Sequence, residues 1–165
     1  MWVRIKAETL EKYTPPGIEF KDRLIYILWY LGIAVGWSCS YLIKYMTARS
    51  NLYEYALSGL VLREGAVMPK FSMLVQDGMD SRYGFWGFYF LMIVMIVMNY
   101  LHYYQGSKSI YLMWRLPDKL EIHRRNVILP IVAIGIGVLT QVALWMLYYG
   151  IYLTCTPAQC LPLYY

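Results

Sequence analysis

The chain has 165 residues, of which 59% are hydrophobic and 15% are charged, with a formal net charge of +5 at pH 7. A soluble domain of this size needs more charged residues than this to cover its surface. The composition therefore excludes an ordinary soluble domain and predicts an integral membrane protein built from α-helical spans.

The chain begins with a polar tail, residues 1–23, which is followed by an apolar run from Leu24 to about Tyr45. The tail lacks the short apolar core and small-residue cleavage site of a signal peptide. A run of roughly 20 residues at about 1.5 Å per residue crosses the hydrocarbon core of a bilayer. The run, residues 24–45, is therefore predicted to be the first transmembrane helix and the insertion signal. Cys39 within it is predicted to be a small packing residue.

The next segment, residues 47–82, is mixed in composition. Apolar and small residues between Leu52 and Arg63 follow a helical period, which predicts a short surface helix. The remainder contains Pro69, Gly78 and charges of both signs, so it is predicted to be loop. A re-entrant hairpin is the alternative interpretation of this segment.

The second apolar run extends from Tyr83 to about Tyr104 and contains no charged residue. It begins and ends with groups of aromatic residues, which favour the two membrane–water interfaces. Residues 83–104 are therefore the clearest predicted span.

The connection after this run, residues 105–126, is short and basic. An apolar group is followed by a break at Pro117, and Asp118 can cap a second short helix. The residues expected to contact a partner are Ile110, Leu112, Met113, Trp114, Arg115, Leu116, Arg124 and Arg125. The pattern predicts an amphipathic helix that either anchors the connection at the interface or docks a soluble protein.

The third run, residues 127–153, has Thr140 and Gln141 as its only polar interior groups. Pro130 is expected in the first turn or two of this helix, where its missing N–H is tolerated. Beyond the run, Cys155 and Cys160 flank a turn at Pro157. Their spacing allows either a small disulfide loop or two unpaired thiols.

The basic residues are unevenly distributed between the two predicted sides of the membrane. Ten of the 15 Lys and Arg residues lie in residues 1–23 and 105–126, and five lie in residues 44–82. Because basic residues accumulate on the cytoplasmic side, the N-terminus is predicted to be cytoplasmic and the C-terminus outside. The sequence contains no basic patch or motif typical of nucleic-acid binding, so the membrane lipid is the expected partner of these residues.

Small residues recur at helical spacing in two of the predicted spans. They are Gly32, Gly36 and Ser40 in the first span, and Ala133 and Gly137 in the third. Such spacing lets helix backbones approach closely in lipid, although chance is the alternative because glycine is common in membrane helices. Gln141 is expected to hydrogen-bond to another helix or, alternatively, to line a polar path. All six residues are predicted to pack against neighbouring helices.

Three short motifs resemble reactive or ligand-binding sites but lack the necessary partners. Ser38 lies in a Gly-x-Ser-x stretch like that of rhomboid proteases, but His102 is at the far end of another span. The sequence 106–109 resembles the end of a phosphate-binding loop, but Leu101 stands where a glycine is required. His102 and His123 have no Cys or carboxylate at ligand spacing. We therefore expect no enzymatic activity, no cofactor and no metal.

The connection 105–126 resembles a loop of the permease subunits of ABC-2 type ABC transporters. The similar features are Lys108 and Ser109, the apolar group 110–114, the Arg115-Leu116-Pro117 break and the Arg124-Arg125 pair. In that family this loop contains the coupling helix, which binds a groove of the ATPase subunit. The chain departs from the family pattern because it lacks the early acidic residue and has three predicted spans where members usually have about six.

The sequence therefore predicts an all-α integral membrane protein with a cytoplasmic interfacial tail (1–23) and a membrane domain (24–165). The resemblance implies a permease-like or accessory subunit of a multi-subunit bacterial ABC exporter in the cytoplasmic membrane, which docks an ATPase through residues 105–126. The alternative is a non-catalytic structural or assembly subunit of a larger membrane complex.

Overall fold

The computed structural model describes residues 20–56, 59–76, 81–105 and 120–161. Its helices are α1 (Phe20–Ser38), α2 (Ser40–Ser50), α3 (Phe71–Gln76), α4 (Tyr83–Gln105) and α5 (Leu120–Cys155), and a 3₁₀ turn covers Ala158–Cys160. An antiparallel hairpin of β1 (Tyr53–Ala56) and β2 (Gly59–Leu62) follows α2 in the chain. The described part of the chain is thus mostly helical.

Three helical stretches are long and apolar enough to cross a bilayer, and they are Phe20–Ser50, Tyr83–Leu101 and His123–Cys155. The prediction of an all-α membrane protein with three spans is therefore confirmed, and the chain is a multi-pass membrane protein. Which side of the membrane each terminus occupies stays a prediction.

The first span contains an irregular turn at Cys39, where α1 ends and α2 begins. The Cys39 N–H donates to the carbonyls of both Val35 and Gly36, at 3.1 and 3.2 Å. Such shared bonds are common at helix ends. The Cys39 side chain is exposed in the structure, and its role as a small packing residue stays a prediction.

Buried residues recur every three or four positions along the long helices, which places them on one face of each helix. In α4 these residues are Phe88, Met92, Met95 and Asn99, and in α5 they are Asn126, Pro130, Ala133 and Gly137. Large apolar side chains on other faces, such as Trp86 and Phe90 of α4, are exposed. Exposed apolar faces are expected where helices contact lipid or another membrane protein.

The chain divides into two compact units, each of which includes part of every long helix. Of the described residues, the first unit comprises 20–32, 86–105 and 120–139, and its buried residues include Ile27, Phe88, Met92, Met95 and Ala133. The second comprises the described residues 33–56, 59–76, 81–85 and 140–161. Its core is Tyr41, Tyr45, Leu52, Met68, Leu74, Val75, Tyr148, Tyr152, Cys160 and Leu161.

Between the first two spans, the structure differs from the predicted surface helix. Residues 53–62 form the β1–β2 hairpin, in which Tyr53 pairs with Leu62 and Ala56 pairs with Gly59. Gly59 has a φ of 118°, a backbone conformation that strongly favours glycine and suits the tight connection. The helical period was misleading here because Tyr, Val and Leu residues at close spacing also suit a strand. The only helix described between the hairpin and the second span is α3.

The third long helix starts earlier than predicted. The short helix expected after Asp118 is not separate, because α5 begins at Leu120 and continues to Cys155. Pro130 therefore lies in the helix interior and not in its first turn or two. An interior proline removes one hydrogen bond of the helix, so the structure must supply a substitute donor or leave a carbonyl unpaired.

Candidate functional site

The substitute donor for the carbonyl freed by Pro130 comes from α4. In an α-helix the N–H of residue 130 would donate to the carbonyl of residue 126, and proline has no N–H. The Asn99 side-chain amide donates to the Asn126 carbonyl at 3.2 Å, and both residues are buried. Asn99 thus compensates for Pro130 and fixes the contact of α4 with α5 in the first unit.

A second polar contact joins the same two helices close to this pair. The Tyr100 hydroxyl and His123 Nδ1 are 2.8 Å apart, with the hydrogen bond exposed. The pair forms a hydrogen bond between α4 and α5. In the sequence, His123 has no Cys or carboxylate at metal-ligand spacing. Among the described residues, no group of three or more His, Cys, Asp or Glu side chains is placed to hold a metal ion.

The second unit contains an aromatic assembly, which we call the tyrosine cluster: Tyr41, Tyr45, Tyr148, Tyr152 and Phe71. Each tyrosine pair is spaced by four residues on its helix, so both rings face the same side. The Tyr41 and Tyr148 rings stack with centroids 4.7 Å apart, and Phe71 lies edge-on to Tyr41 at 5.7 Å. Ring pairs at these distances stabilise a packed core beyond the area they bury. The cluster therefore joins α2, α3 and α5.

Two hydrogen bonds connect the segments outside the long helices to this cluster, and a third connects two of these segments to each other. The Tyr152 hydroxyl donates to the Pro69 carbonyl at 3.0 Å, and the Tyr45 hydroxyl lies 3.2 Å from the Thr156 hydroxyl. The Met68 N–H donates to the Cys160 carbonyl at 2.9 Å. Residues 66–70 and the 3₁₀ turn are thereby held against α2 and α5.

Glycines at two positions allow close helix approach inside the chain. A Cβ at Gly137 would lie 2.7 Å from a ring carbon of Phe88, in the first unit. A Cβ at Gly84 would lie 2.8 Å from Trp37 Cβ and 2.9 Å from the Ala34 carbonyl oxygen, in the second unit. Both contacts need the absence of a side chain. Gly137 and the buried Ala133 thus pack within this chain.

The predicted packing residues of the first span are placed differently. A Cβ at Gly32 or Gly36 would meet nothing within 4 Å, so these glycines face open space. Ser40 is half-buried, and its hydroxyl oxygen has no hydrogen-bond partner among the described residues. Gln141 is half-buried.

Most of the predicted partner-binding residues, Ile110 to Leu116, lie outside the described residues. Arg124 and Arg125 are described and lie in the early turns of α5, with Arg124 exposed and Arg125 half-buried. These two arginines therefore belong to α5 and not to a separate helix of the connection.

The cysteines at the end of α5 do not form the disulfide that their spacing allowed. Cys39, Cys155 and Cys160 are all free, with Cys155 exposed and Cys160 buried. Cys160 packs into the core of the second unit, while Cys155 is at the end of α5 with its side chain exposed. Of the two alternatives, the structure has unpaired thiols.

Sequence reasoning missed Asn99, Asn126 and the tyrosine cluster. Two signals for them were present. Each asparagine lies in or beside a strongly apolar run, and Asn126 precedes Pro130 by four residues, the spacing of the lost helix bond. The tyrosines recur at four-residue spacing near the end of the first and third spans.

Two open clefts lie on the described surface. One, of about 350 Å³, is lined by Asp22, Ile25, Tyr26, Trp29 and Tyr30 of α1. The other, of about 510 Å³, is lined by Ala48, Asn51, Leu52, residues 63–67 and Pro69. Neither brings a nucleophile next to a base among its described lining residues.

No family model, curated protein or solved structure matches the chain, so its function has to be inferred from its own residues.

Proposed function

We propose that the chain is a non-catalytic membrane subunit of a larger assembly and that α1 packs against a helix of another subunit. The observation that carries the proposal is the contrast between its glycines. Gly84 and Gly137 are in tight contact with other residues of this chain, whereas Gly32 and Gly36 face open space, as Gly87 and Gly135 do. Gly32 and Gly36 are distinguished by lying one turn apart on the same helix, α1.

A glycine inside a helix costs about 0.5–1 kcal/mol relative to alanine, so two open glycines weaken α1 unless a contact compensates. Close approach of a second helix is the contact that small residues at this spacing support in lipid. The neighbouring side chains Trp29, Ile33 and Trp37 are exposed and can complete such an interface. The described residues of this chain leave that face uncovered.

Affinity purification in mild detergent tests the proposal. A tagged chain should recover one or more other membrane subunits, and the double substitution Gly32→Leu with Gly36→Leu should reduce that recovery about tenfold or more, which corresponds to about 1.4 kcal/mol. The matched control is Gly87→Leu with Gly135→Leu, because a Cβ at either of these glycines also meets nothing within 4 Å. Equal recovery with both double variants would contradict the assignment of the α1 face.

We further propose that the assembly is a bacterial ABC-type exporter in the cytoplasmic membrane. The support is the resemblance of residues 105–126 to a coupling helix, together with their basic character, which the positive-inside rule assigns to the cytoplasm. In this arrangement the apolar residues 110–114 contact an ATPase subunit, and the three spans supply part of the permease. An assembly subunit without an ATPase remains the alternative.

The two alternatives differ in what the purified complex contains. If the exporter proposal holds, a nucleotide-binding subunit copurifies and is lost with Leu112→Glu plus Leu116→Glu. The control is Val61→Glu plus Val67→Glu, which places the same charges at two exposed apolar positions, one in β2 and one after it, and should retain that subunit. A complex that contains membrane subunits but no nucleotide-binding subunit would support the assembly alternative and overturn the exporter proposal.

A further inference from the structure

Asn99 and Asn126 have more hydrogen-bonding capacity than the structure satisfies. Asn126 is completely buried and Asn99 is 3% exposed. One bond is made, from the Asn99 side-chain nitrogen to the Asn126 carbonyl. Asn99 Oδ1, Asn126 Oδ1 and Asn126 Nδ2 are buried and have no hydrogen-bond partner among the described residues.

The surroundings make these three unpaired atoms costly. Asn99 and Asn126 lie in or next to the spans Tyr83–Leu101 and His123–Cys155. Lipid offers no hydrogen bonds, and buried amides without partners are rare in folded proteins. A side chain of another subunit is a poor candidate for the missing partner, because Asn126 has no exposed surface for it to reach.

We infer that Asn99 and Asn126 form a buried water-binding site between α4 and α5. The unpaired atoms are two acceptors and one donor group, and water both donates two hydrogen bonds and accepts others. A metal cation fits less well, because Ca²⁺ needs six or more oxygen ligands and two amide oxygens supply few of them. The water completes the polar contact in which Asn99 replaces the hydrogen bond lost at Pro130.

The asparagine content of the chain makes a selective experiment practical. The sequence contains three asparagines, Asn51, Asn99 and Asn126. Asn51 is exposed, whereas the other two are buried, so it is an internal reference for a solvated side chain. Incorporation of ¹⁵N-asparagine into the full chain therefore yields three side-chain amide groups, which substitution of each asparagine in turn assigns.

The measurement is water-edited solid-state NMR of the labelled chain in vesicles of phosphatidylcholine and phosphatidylglycerol. We expect magnetisation from water to reach the Asn99 and Asn126 side-chain amides several-fold sooner than it reaches the backbone amide of Phe88. Phe88 is buried in α4 and provides the dry reference in a ¹⁵N-phenylalanine sample. Transfer to both asparagines as slow as that to Phe88 would overturn the proposal, and this result needs no variant to fold.

A pair of variants tests whether the two asparagines share the water. In Asn126→Leu the early transfer to the Asn99 amide should be lost, while Asn51→Leu should leave it unchanged. Early transfer to Asn99 that survives in Asn126→Leu would overturn the shared site, since Asn99 would then contact water on its own.

Discussion

At the scale of single residues, groups that are missing from glycine and proline determine how the helices pack and which hydrogen bonds they form. Gly84 lacks the Cβ that would meet Trp37 and Ala34, and Gly137 lacks the one that would meet Phe88. Pro130 lacks the N–H that would pair with the Asn126 carbonyl, and Asn99 supplies it from α4. A substitution that restores the missing group at each of these positions tests its effect directly.

Gly84→Ala should destabilise the second unit. The added methyl group would lie 2.8 Å from Trp37 Cβ and 2.9 Å from the Ala34 carbonyl oxygen, so the backbone must move. We expect a loss of about 1–3 kcal/mol in the free energy of unfolding, the range for overpacked sites. Denaturation of the parent chain and the variant in mixed micelles with increasing dodecyl sulfate measures this difference in the free energy of unfolding.

The control for this prediction is Gly87→Ala, three residues further along α4. A Cβ at Gly87 meets nothing within 4 Å, so only helix propensity changes, and the variant should be as stable as the parent or slightly more stable. Equal destabilisation by both alanines would mean that the close contact at Gly84 does not limit stability.

Asn99→Leu should destabilise the contact of α4 with α5, and the size of the effect should depend on Pro130. The substitution leaves the Asn126 carbonyl without its donor, at a cost of about 1–3 kcal/mol. In a Pro130→Ala background, the new N–H of residue 130 can donate to that carbonyl. The cost of Asn99→Leu should then fall by about 1 kcal/mol.

A double-mutant cycle on unfolding free energies measures this coupling. The control background is Ile131→Ala, since Ile131 is exposed next to Pro130 and donates nothing new to the Asn126 carbonyl. Additive effects in the Pro130→Ala background, to within about 0.5 kcal/mol, would show that Asn99 does not compensate for the proline.

At the scale of elements, the tyrosine cluster explains why short, mixed segments between the first two spans adopt a defined structure. A hairpin of two four-residue strands and a six-residue helix are marginal by themselves. Phe71 of α3 packs edge-on against Tyr41, Tyr149 and Tyr152, and Tyr152 also binds the Pro69 carbonyl. The ends of α2 and α5 thus provide the surface on which these segments fold.

Tyr152→Phe should loosen residues 66–70. The ring is kept, but the hydrogen bond to the Pro69 carbonyl is lost, which costs about 0.5–1.5 kcal/mol. We expect faster hydrogen–deuterium exchange in the peptide containing Met68, whose N–H pairs with the Cys160 carbonyl.

Tyr149→Phe is the matched control for Tyr152→Phe. Tyr149 is exposed, and its ring lies edge-on to Phe71, a contact that the substitution preserves. The hydrogen–deuterium exchange of the Tyr149→Phe variant should therefore equal that of the parent chain. If Tyr152→Phe also leaves exchange at Met68 unchanged, the hydroxyl does not hold this segment.

The elements that could be predicted from sequence are those whose pattern is long. Three runs of about 20 or more apolar residues specify three spans regardless of their neighbours. The β1–β2 hairpin could not be distinguished from a helix, because about ten mixed residues carry too little periodicity to separate the two. The interior position of Pro130 was missed because α5 begins at Leu120, before the apolar run that starts at residue 127. The group that compensates for it, Asn99, lies 27 residues from Asn126 in the chain.

At the scale of the whole molecule, the distribution of Lys and Arg residues predicts the orientation of the chain in the membrane. Ten Lys and Arg residues lie in residues 1–23 and 105–126, and five lie in residues 44–82. The positive-inside rule then predicts that the hairpin, α3 and the end of α5 lie outside. The structure adds a way to test this, because the three cysteines differ in accessibility.

A membrane-impermeant maleimide applied to intact cells should label the chain at Cys155. Cys155 is exposed at the end of α5, on the predicted outer side, whereas Cys160 is buried at 2% exposure. Cys39 is exposed but lies inside the span Phe20–Ser50, where a charged reagent in water does not reach it. Labelling should therefore disappear in Cys155→Ser and persist in Cys160→Ala.

The contrary outcome is labelling that requires permeabilised cells, which would place the end of α5 in the cytoplasm. Residues 105–126 would then lie outside, where a cytoplasmic ATPase could not reach them. The proposed role of these residues as a coupling helix would therefore fail.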